Sequence, residues 1–215
     1  LFLGAGCIIQ AVHSNEMSSM GGMRKYMPVT HITFLIACLA ISGIWPFSGF
    51  FSKDEILTAC FQFSPAMGWI MTGIAAMTAF YMFRLYYCIF WNGEWKGQTP
   101  TVGAAPCVRP ETHTPHEAPL TMTFPLMFLA AVTCVAGFIP FGDLISSNGE
   151  AYTIHLDMQV ATTSIIIALL SIGLATWMYA GSKQPVADKL ARTFSRLHTA
   201  AYHRFYMDEV WMFFT

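Results

Sequence analysis

Three consecutive ionisable residues, Lys53, Asp54 and Glu55, interrupt an apolar stretch that runs from residue 28 to residue 63. A lysine at the depth of a membrane costs about 3 kcal/mol, so it usually marks the path of an ion or a proton and has a partner nearby. Burial favours the neutral amine, whereas a neighbouring carboxylate favours the ammonium ion. Because these effects oppose each other, the arrival of another proton can switch the lysine between its two forms. A proton relay requires this behaviour.

The three residues cannot all face one cavity, because consecutive side chains of a helix point in different directions. We expect Lys53 to face an internal cavity and Asp54 to be its nearer partner, with Glu55 directed toward the outer side or a neighbouring helix. The alternative is that Lys53 and Asp54 lie at the outer interface, where the lysine reaches water along its aliphatic chain.

Three further residues are candidate members of a proton path: His13, His31 and Arg84. Histidine titrates near neutral pH, which suits a relay, but a histidine at a helix end is more often a structural hydrogen-bonding residue. Both interpretations stay open for His13 and His31. For Arg84 we favour a structural role, either at the cytoplasmic interface or as a link between two helices.

The sequence predicts neither a cofactor nor a metal site. His113 and His116 have a spacing that suits metal ligands, but they lie in a proline-rich loop that offers no rigid frame. The six cysteines include no C-x-x-C pair and no cluster spacing. Gly4 and Gly6 lack the third glycine and the preceding strand of a nucleotide-binding loop. The net charge of -1 gives no indication of nucleic acid as a partner.

The elements that must position these residues are long apolar blocks. Hydrophobic residues make up 55% of the chain and charged residues 11%, which predicts an all-α fold, a polytopic bundle of transmembrane helices. The predicted segments are residues 1–12, 28–63, 66–91, 120–141 and 156–180, followed by the start of a lateral amphipathic helix or a further span at 202–215. The sequence starts within an apolar helix, so we expect it to be the C-terminal part of a longer chain.

The distribution of Lys and Arg predicts the orientation of the helices. These residues are concentrated after residues 12, 91 and 180, which places three connections in the cytoplasm; one of them, residues 92–119, is rich in proline and should be a flexible loop. The apolar stretch from residue 28 to 63 would rise about 54 Å as a straight helix, against a hydrocarbon core of about 30 Å. One broken crossing fits the charge pattern better than two short crossings.

The sequence also provides a cause for the break. Pro46 removes a backbone donor, and Gly43 and Gly49 weaken the helix on either side. Free backbone groups persist at membrane depth only where protein or water satisfies them. We therefore expect a hydrated cavity lined by Ser48 and Ser52, with Ser52 capping the second half of the helix.

Several segments resemble one known family, the antiporter-like subunits L of respiratory NADH:quinone oxidoreductase (complex I), which are bacterial relatives of mitochondrial NADH dehydrogenase subunit 5. The resemblance lies in residues 20–24, 27–30, 49–56, 81–84 and 116–126. The string from Gly49 to Glu55 is the most specific part, although the related A-type component of multi-subunit cation/proton antiporters shares some of it.

The resemblance implies the C-terminal part of a proton-translocating subunit, with Lys53 at the position of the family's lysine on the broken helix of the outlet half-channel. It also implies a multi-pass location in the bacterial inner membrane. The implied partners are other membrane subunits of complex I, lipid and protons. Quinone reduction would occur elsewhere in the complex, without a redox centre in this chain. Two alternatives stay open: the A-type component of a sodium/proton antiporter, and a structural membrane scaffold.

Overall fold

The structure is a computed structural model that describes residues 1–15, 20–93, 115–139 and 157–181, and a few single positions outside these ranges. Its helices are α1 (Phe2–Val12), α2 (Pro28–Ser42), α3 (Ser48–Phe63), α4 (Pro65–Phe90), α5 (Leu120–Val135) and α6 (Met158–Tyr179). The described residues form no strand, so the prediction of an all-α fold is confirmed. Within the described part of the chain, three helical stretches are long and apolar enough to cross a membrane, namely α4, α5 with the short turn that follows it, and α6.

Helix α4 is the centre of the bundle. It packs along α6 and also contacts α2 and α3, while α5 packs against α2 on another side. Helix α6 has buried alanines at a seven-residue spacing, Ala161, Ala168 and Ala175. These small residues let the backbones of α4 and α6 approach closely. Large apolar side chains such as Trp69, Met77 and Leu170 point outward from α4 and α6, as expected for helices that contact lipid or neighbouring proteins.

The two ends of the bundle differ in the segments that they contain. We call the first the His31 end, because α2 and α5 begin there and α1, α4 and α6 end there. The second is the Ser64 end, where α3 passes into α4 through Ser64 and where α6 begins. At the His31 end, buried side chains from α1, α2 and α4 form the main core around Met23 and Met27, both fully buried.

The predicted break separates α2 from α3. Helix α2 ends at Ser42, and Gly43 follows it as the C-cap residue. The φ angle of Gly43 is 77°, a left-handed value that favours glycine, and its N–H donates a hydrogen bond to the carbonyl oxygen of Ala40. A Cβ atom at Gly49 would collide with this same carbonyl group, so the start of α3 packs directly on the end of α2. At 15 and 16 residues, the two halves rise only about 22 and 24 Å. Each half is thus shorter than the hydrocarbon core.

The expectation that Ser52 caps the second half of the broken helix was wrong. Ser52 lies in the second turn of α3 and is exposed, and its hydroxyl reaches back to the carbonyl oxygen of Gly49, so it caps no helix. The N-cap position is Phe47, without a side-chain hydrogen bond. The helix thus begins about one turn earlier than a Ser52 cap would allow.

Parts of the predicted segments lie outside the described residues: most of the loop at 92–119, residues 140–141 and 156, and most of 202–215. The last residues of the loop, Pro115 to Pro119, are described and pack against the bundle, with Pro115 buried. This end of the loop contacts α2 through Glu117.

Candidate proton-transfer site at the helix break

Four polar side chains near the break have buried polar atoms without a hydrogen-bond partner among the described residues: Ser42, Lys53, Asp54 and Thr58. Leaving one buried polar group unpaired costs about 1–3 kcal/mol, and more for a charged group. Such a group of side chains is stable only if water, or a part of the protein outside the described residues, supplies the partners. The break is therefore a polar site within an apolar bundle.

The Lys53 side chain lies against the end of α2. A Cβ atom at Gly43 would come within 2.8 Å of Lys53 Cδ, so the lysine stem crosses directly over this glycine, while Nζ is buried. Lys53 lies ten residues before Phe63, about 15 Å from the end of α3. The amine is therefore inside the bundle, and the alternative of an amine in water at the interface does not describe this structure.

Asp54 is not the partner of Lys53 that we expected. Its side chain is only 1% exposed, and neither carboxylate oxygen forms a hydrogen bond with Lys53 Nζ. Consecutive residues point to different sides of α3, whereas Asp54 shares its side with Thr58, one turn closer to the Ser64 end. Among the described residues, the acidic group therefore has no hydrogen-bond partner.

A small cavity joins the break to α4 and α6. It is lined by Ser42 and Gly43 at the end of α2, by Thr72 on α4, by Ser164 on α6, and by small apolar side chains between them. The cavity measures about 10 Å³, which is room for about one water molecule. Ser48 and Ser52, which we expected to line a cavity, do not line this one.

Glu55, His13 and Arg84 do not join this group. Glu55 is partly exposed on another side of α3. His13 is exposed and ends α1 in the left-handed conformation, with φ of 55°. The Arg84 guanidinium carbon lies 5.5 Å from the centre of the Tyr179 ring, so Arg84 links α4 to α6 at the His31 end through a cation–π contact.

His31 belongs to a separate hydrogen-bonded group at the His31 end. Its Nε2 lies 2.6 Å from the hydroxyl of Tyr86, and this hydroxyl also accepts a hydrogen bond of 3.3 Å from the indole N–H of Trp91. The Arg24 guanidinium lies 4.1 Å from the centre of the Trp91 ring. The group joins the start of α2 to the end of α4.

Sequence reasoning missed the function of Glu117. Its carboxylate accepts hydrogen bonds from the backbone N–H of Val29, at 2.9 Å, and from the hydroxyl of Thr30, at 2.6 Å. A negative charge at a helix N-terminus satisfies free N–H groups and interacts favourably with the helix dipole. Glu117 therefore caps α2 from a distant segment. The neighbouring residues in the sequence, 116–119, give no indication of this contact, because Val29 and Thr30 are 88 and 87 residues away from Glu117.

Residues 1–79, which include the break, match the family model described as the transmembrane domain of NADH:quinone oxidoreductase and Mrp antiporters. The chain is 39% identical to NAD(P)H-quinone oxidoreductase chain 5 of Picosynechococcus sp. over 98% of its own length and 36% of that protein's. It is 32% identical to NADH-quinone oxidoreductase subunit L of Neisseria meningitidis, again over 98% of its own length and 36% of the relative's. A chloroplast subunit 5, from Chlorokybus atmophyticus, is 33% identical over 98% of this chain and 34% of that protein.

The bundle contains an interrupted helix and several helices long enough to cross a membrane. These features are those of a polytopic membrane protein. Over almost its whole length the chain is similar to membrane subunits of NADH:quinone oxidoreductase, and residues 1–79 match the transmembrane family model that covers these subunits and Mrp antiporters. It spans about a third of the length of the curated relatives that it matches.

Proposed function

We propose that this chain forms the outlet half-channel of a proton-translocating membrane subunit of respiratory NADH:quinone oxidoreductase. The observation that supports this proposal best is the buried Lys53 amine, which has no hydrogen-bond partner among the described residues and lies at the break between α2 and α3. Burial without an ion pair favours the neutral amine, so an ammonium ion formed there readily releases its proton again.

In the proposed mechanism, Lys53 Nζ receives a proton from a donor in the part of the subunit that precedes this sequence, and becomes an ammonium ion. The return to the neutral amine releases one proton toward the Ser64 end, so that proton and charge both balance. Asp54 contributes a second titratable group on the neighbouring side of α3. Water in the break would complete the path, because the side chains there lack protein partners among the described residues.

The proposal assigns no redox step and no cofactor to this chain. Electron transfer from NADH to quinone would take place in other subunits and would supply the energy, so the chain is part of an enzyme only within the assembled complex. Its partners would be other membrane subunits, lipid and protons, and its location a bacterial inner membrane or a corresponding energy-converting membrane. The names of the curated relatives, all NADH- or NAD(P)H-quinone oxidoreductase subunits, favour this function over a sodium/proton antiporter.

The experiment that tests the proposal is the reconstitution of the purified complex that contains this subunit into sealed proteoliposomes. We expect the addition of NADH and a quinone to acidify one compartment, with no need for sodium. Exchange of sodium for protons in the absence of any electron donor would instead establish the antiporter function. Quinone reduction without proton movement would support the membrane scaffold and contradict the proposal.

A further inference from the structure

The proposed function leaves open how a proton leaves the break, and the cavity beside Ser42 lies on a route toward the Ser64 end. Ser42 is 3% exposed, its hydroxyl has no partner among the described residues, and it lines the cavity. Gly43 lines the same cavity and lies under the Lys53 stem. Because the space accommodates about one water molecule, Ser42 provides a hydrogen-bonding group that such a water would satisfy.

The opposite wall of the cavity belongs to α6. Ser164 lines it, and Thr72 of α4 lines the cavity as well. Both hydroxyls donate to carbonyl oxygens of their own helices, those of Ala161 and Gly68, so each oxygen can accept a hydrogen bond from a water. Ser164 is six residues from the start of α6 and Thr72 seven from the start of α4, so both lie about 10 Å from the Ser64 end. The cavity is therefore between the break and that end of the bundle, on the side of α6.

One face of α6 continues from the cavity to the helix N-terminus. Asp157, Ala161, Ser164 and Ala168 follow each other at intervals of four, three and four residues, which places them on one face. Ala161 and Ala168 are buried, so this face is turned toward the bundle, whereas Asp157 at its end is exposed. Asp157 caps α6 by accepting a hydrogen bond from the Gln159 N–H through Oδ1.

We propose that protons leave the break along this face of α6, through a water held between Ser42 and Ser164, and that Asp157 receives them at the surface. This inference rests on the proposed function and adds an exit route to it. Each transfer moves one proton: the N–H bond of the Lys53 ammonium breaks, a proton passes through water, and an O–H bond forms on the Asp157 carboxylate. The carboxylic acid then releases that proton to bulk water, so that no oxidant or other reactant is needed.

Two variants test this exit route in the assembled complex. Asp157→Asn removes the proton acceptor but keeps a good helix cap, and Ser164→Val removes the hydroxyl while filling the cavity. Thr163→Val is the matched control, because the Thr163 hydroxyl bonds to the backbone of its own helix as that of Ser164 does, whereas Thr163 is exposed and does not line the cavity. The measurement is proton translocation driven by NADH and quinone, after native gels have established that each variant assembles.

We expect Asp157→Asn and Ser164→Val to lose most of the proton translocation that Thr163→Val retains. If Asp157→Asn assembles and translocates protons like the control, the exit route is wrong, even if Ser164→Val fails to assemble. Lys53→Ala separates this failure from a failure of the proposed function. If Lys53→Ala loses translocation while Asp157→Asn and Ser164→Val keep it, the route along α6 is wrong and the proposed function stands. If Lys53→Ala translocates protons normally, both proposals are wrong.

Discussion

The Glu117 carboxylate lies 2.6 Å from the hydroxyl of Thr30, across 87 residues of sequence. Thr30 is fully buried in the first turn of α2, so this contact anchors the first half of the broken helix to the segment that leads into α5. Glu117 thus holds the start of α2, the end that lies farthest from the break, against the end of the loop that precedes α5.

Replacing Glu117 with alanine should destabilise the start of α2, because the N–H of Val29 and the hydroxyl of Thr30 lose their acceptor. The expected cost is about 1–3 kcal/mol. Glu117→Gln should cost less, since its amide oxygen still accepts one of the two hydrogen bonds. Thermal stability of the assembled complex, followed by native gels after heating, checks this order. Equal stability of Glu117→Ala and the unmodified protein would contradict the anchoring role.

Tyr86→Phe removes the hydroxyl shared by His31 and Trp91 and tests whether His31 belongs to a proton path. We expect a loss of about 1 kcal/mol in stability with an unchanged ratio of protons to electrons, because the group joins helices. Tyr87→Phe is the control: its hydroxyl lies 3.0 Å from that of Thr176 and links α4 to α6. A lower ratio in Tyr86→Phe, but not in Tyr87→Phe, would show that His31 takes part in proton transfer.

Gly49→Ala should displace the start of α3, because the added Cβ atom collides with the Ala40 carbonyl group. Overpacking of this kind typically costs about 1–3 kcal/mol, and Lys53 follows one turn later, so proton translocation should fall as well. Gly73→Ala in α4 is a control, since nothing lies within 4 Å of a Cβ atom there. Similar assembly and translocation in the two variants would mean that the two halves of the broken helix are not tightly packed.

Arg84→Gln should change stability by no more than about 1 kcal/mol, the size of an exposed cation–π contact, and should leave proton translocation intact. Tyr179→Leu should cost more, because Tyr179 is buried and its ring also contacts that of Phe80. The double variant should be no less stable than Tyr179→Leu alone, because both substitutions remove the same cation–π contact. Stability and proton translocation would be measured on the same preparations. A strong loss of translocation in Arg84→Gln would instead place this arginine on a proton path.

Local chemistry made the break predictable from the sequence. Pro46 and the two glycines around it disrupt a helix wherever they occur, and Lys53 is conspicuous because charge is rare in such apolar segments. The cavity was not predictable in its true position, because Ser42, Thr72 and Ser164 come from three helices and meet only through packing. The lack of a hydrogen bond between Asp54 and Lys53 is a consequence of helix geometry, because consecutive residues of a helix point in different directions.

The most direct test of the central claim, proton transfer through the buried Lys53 amine, is the ratio of protons translocated to electrons transferred in Lys53→Ala. Lys25→Ala is a suitable control, since Lys25 is exposed in the segment before α2. We predict that Lys53→Ala assembles but translocates clearly fewer protons per electron, or stops reducing quinone when electron transfer is coupled to proton translocation. Lys25→Ala should behave like the unmodified protein. A normal ratio at a normal rate in Lys53→Ala would contradict the claim.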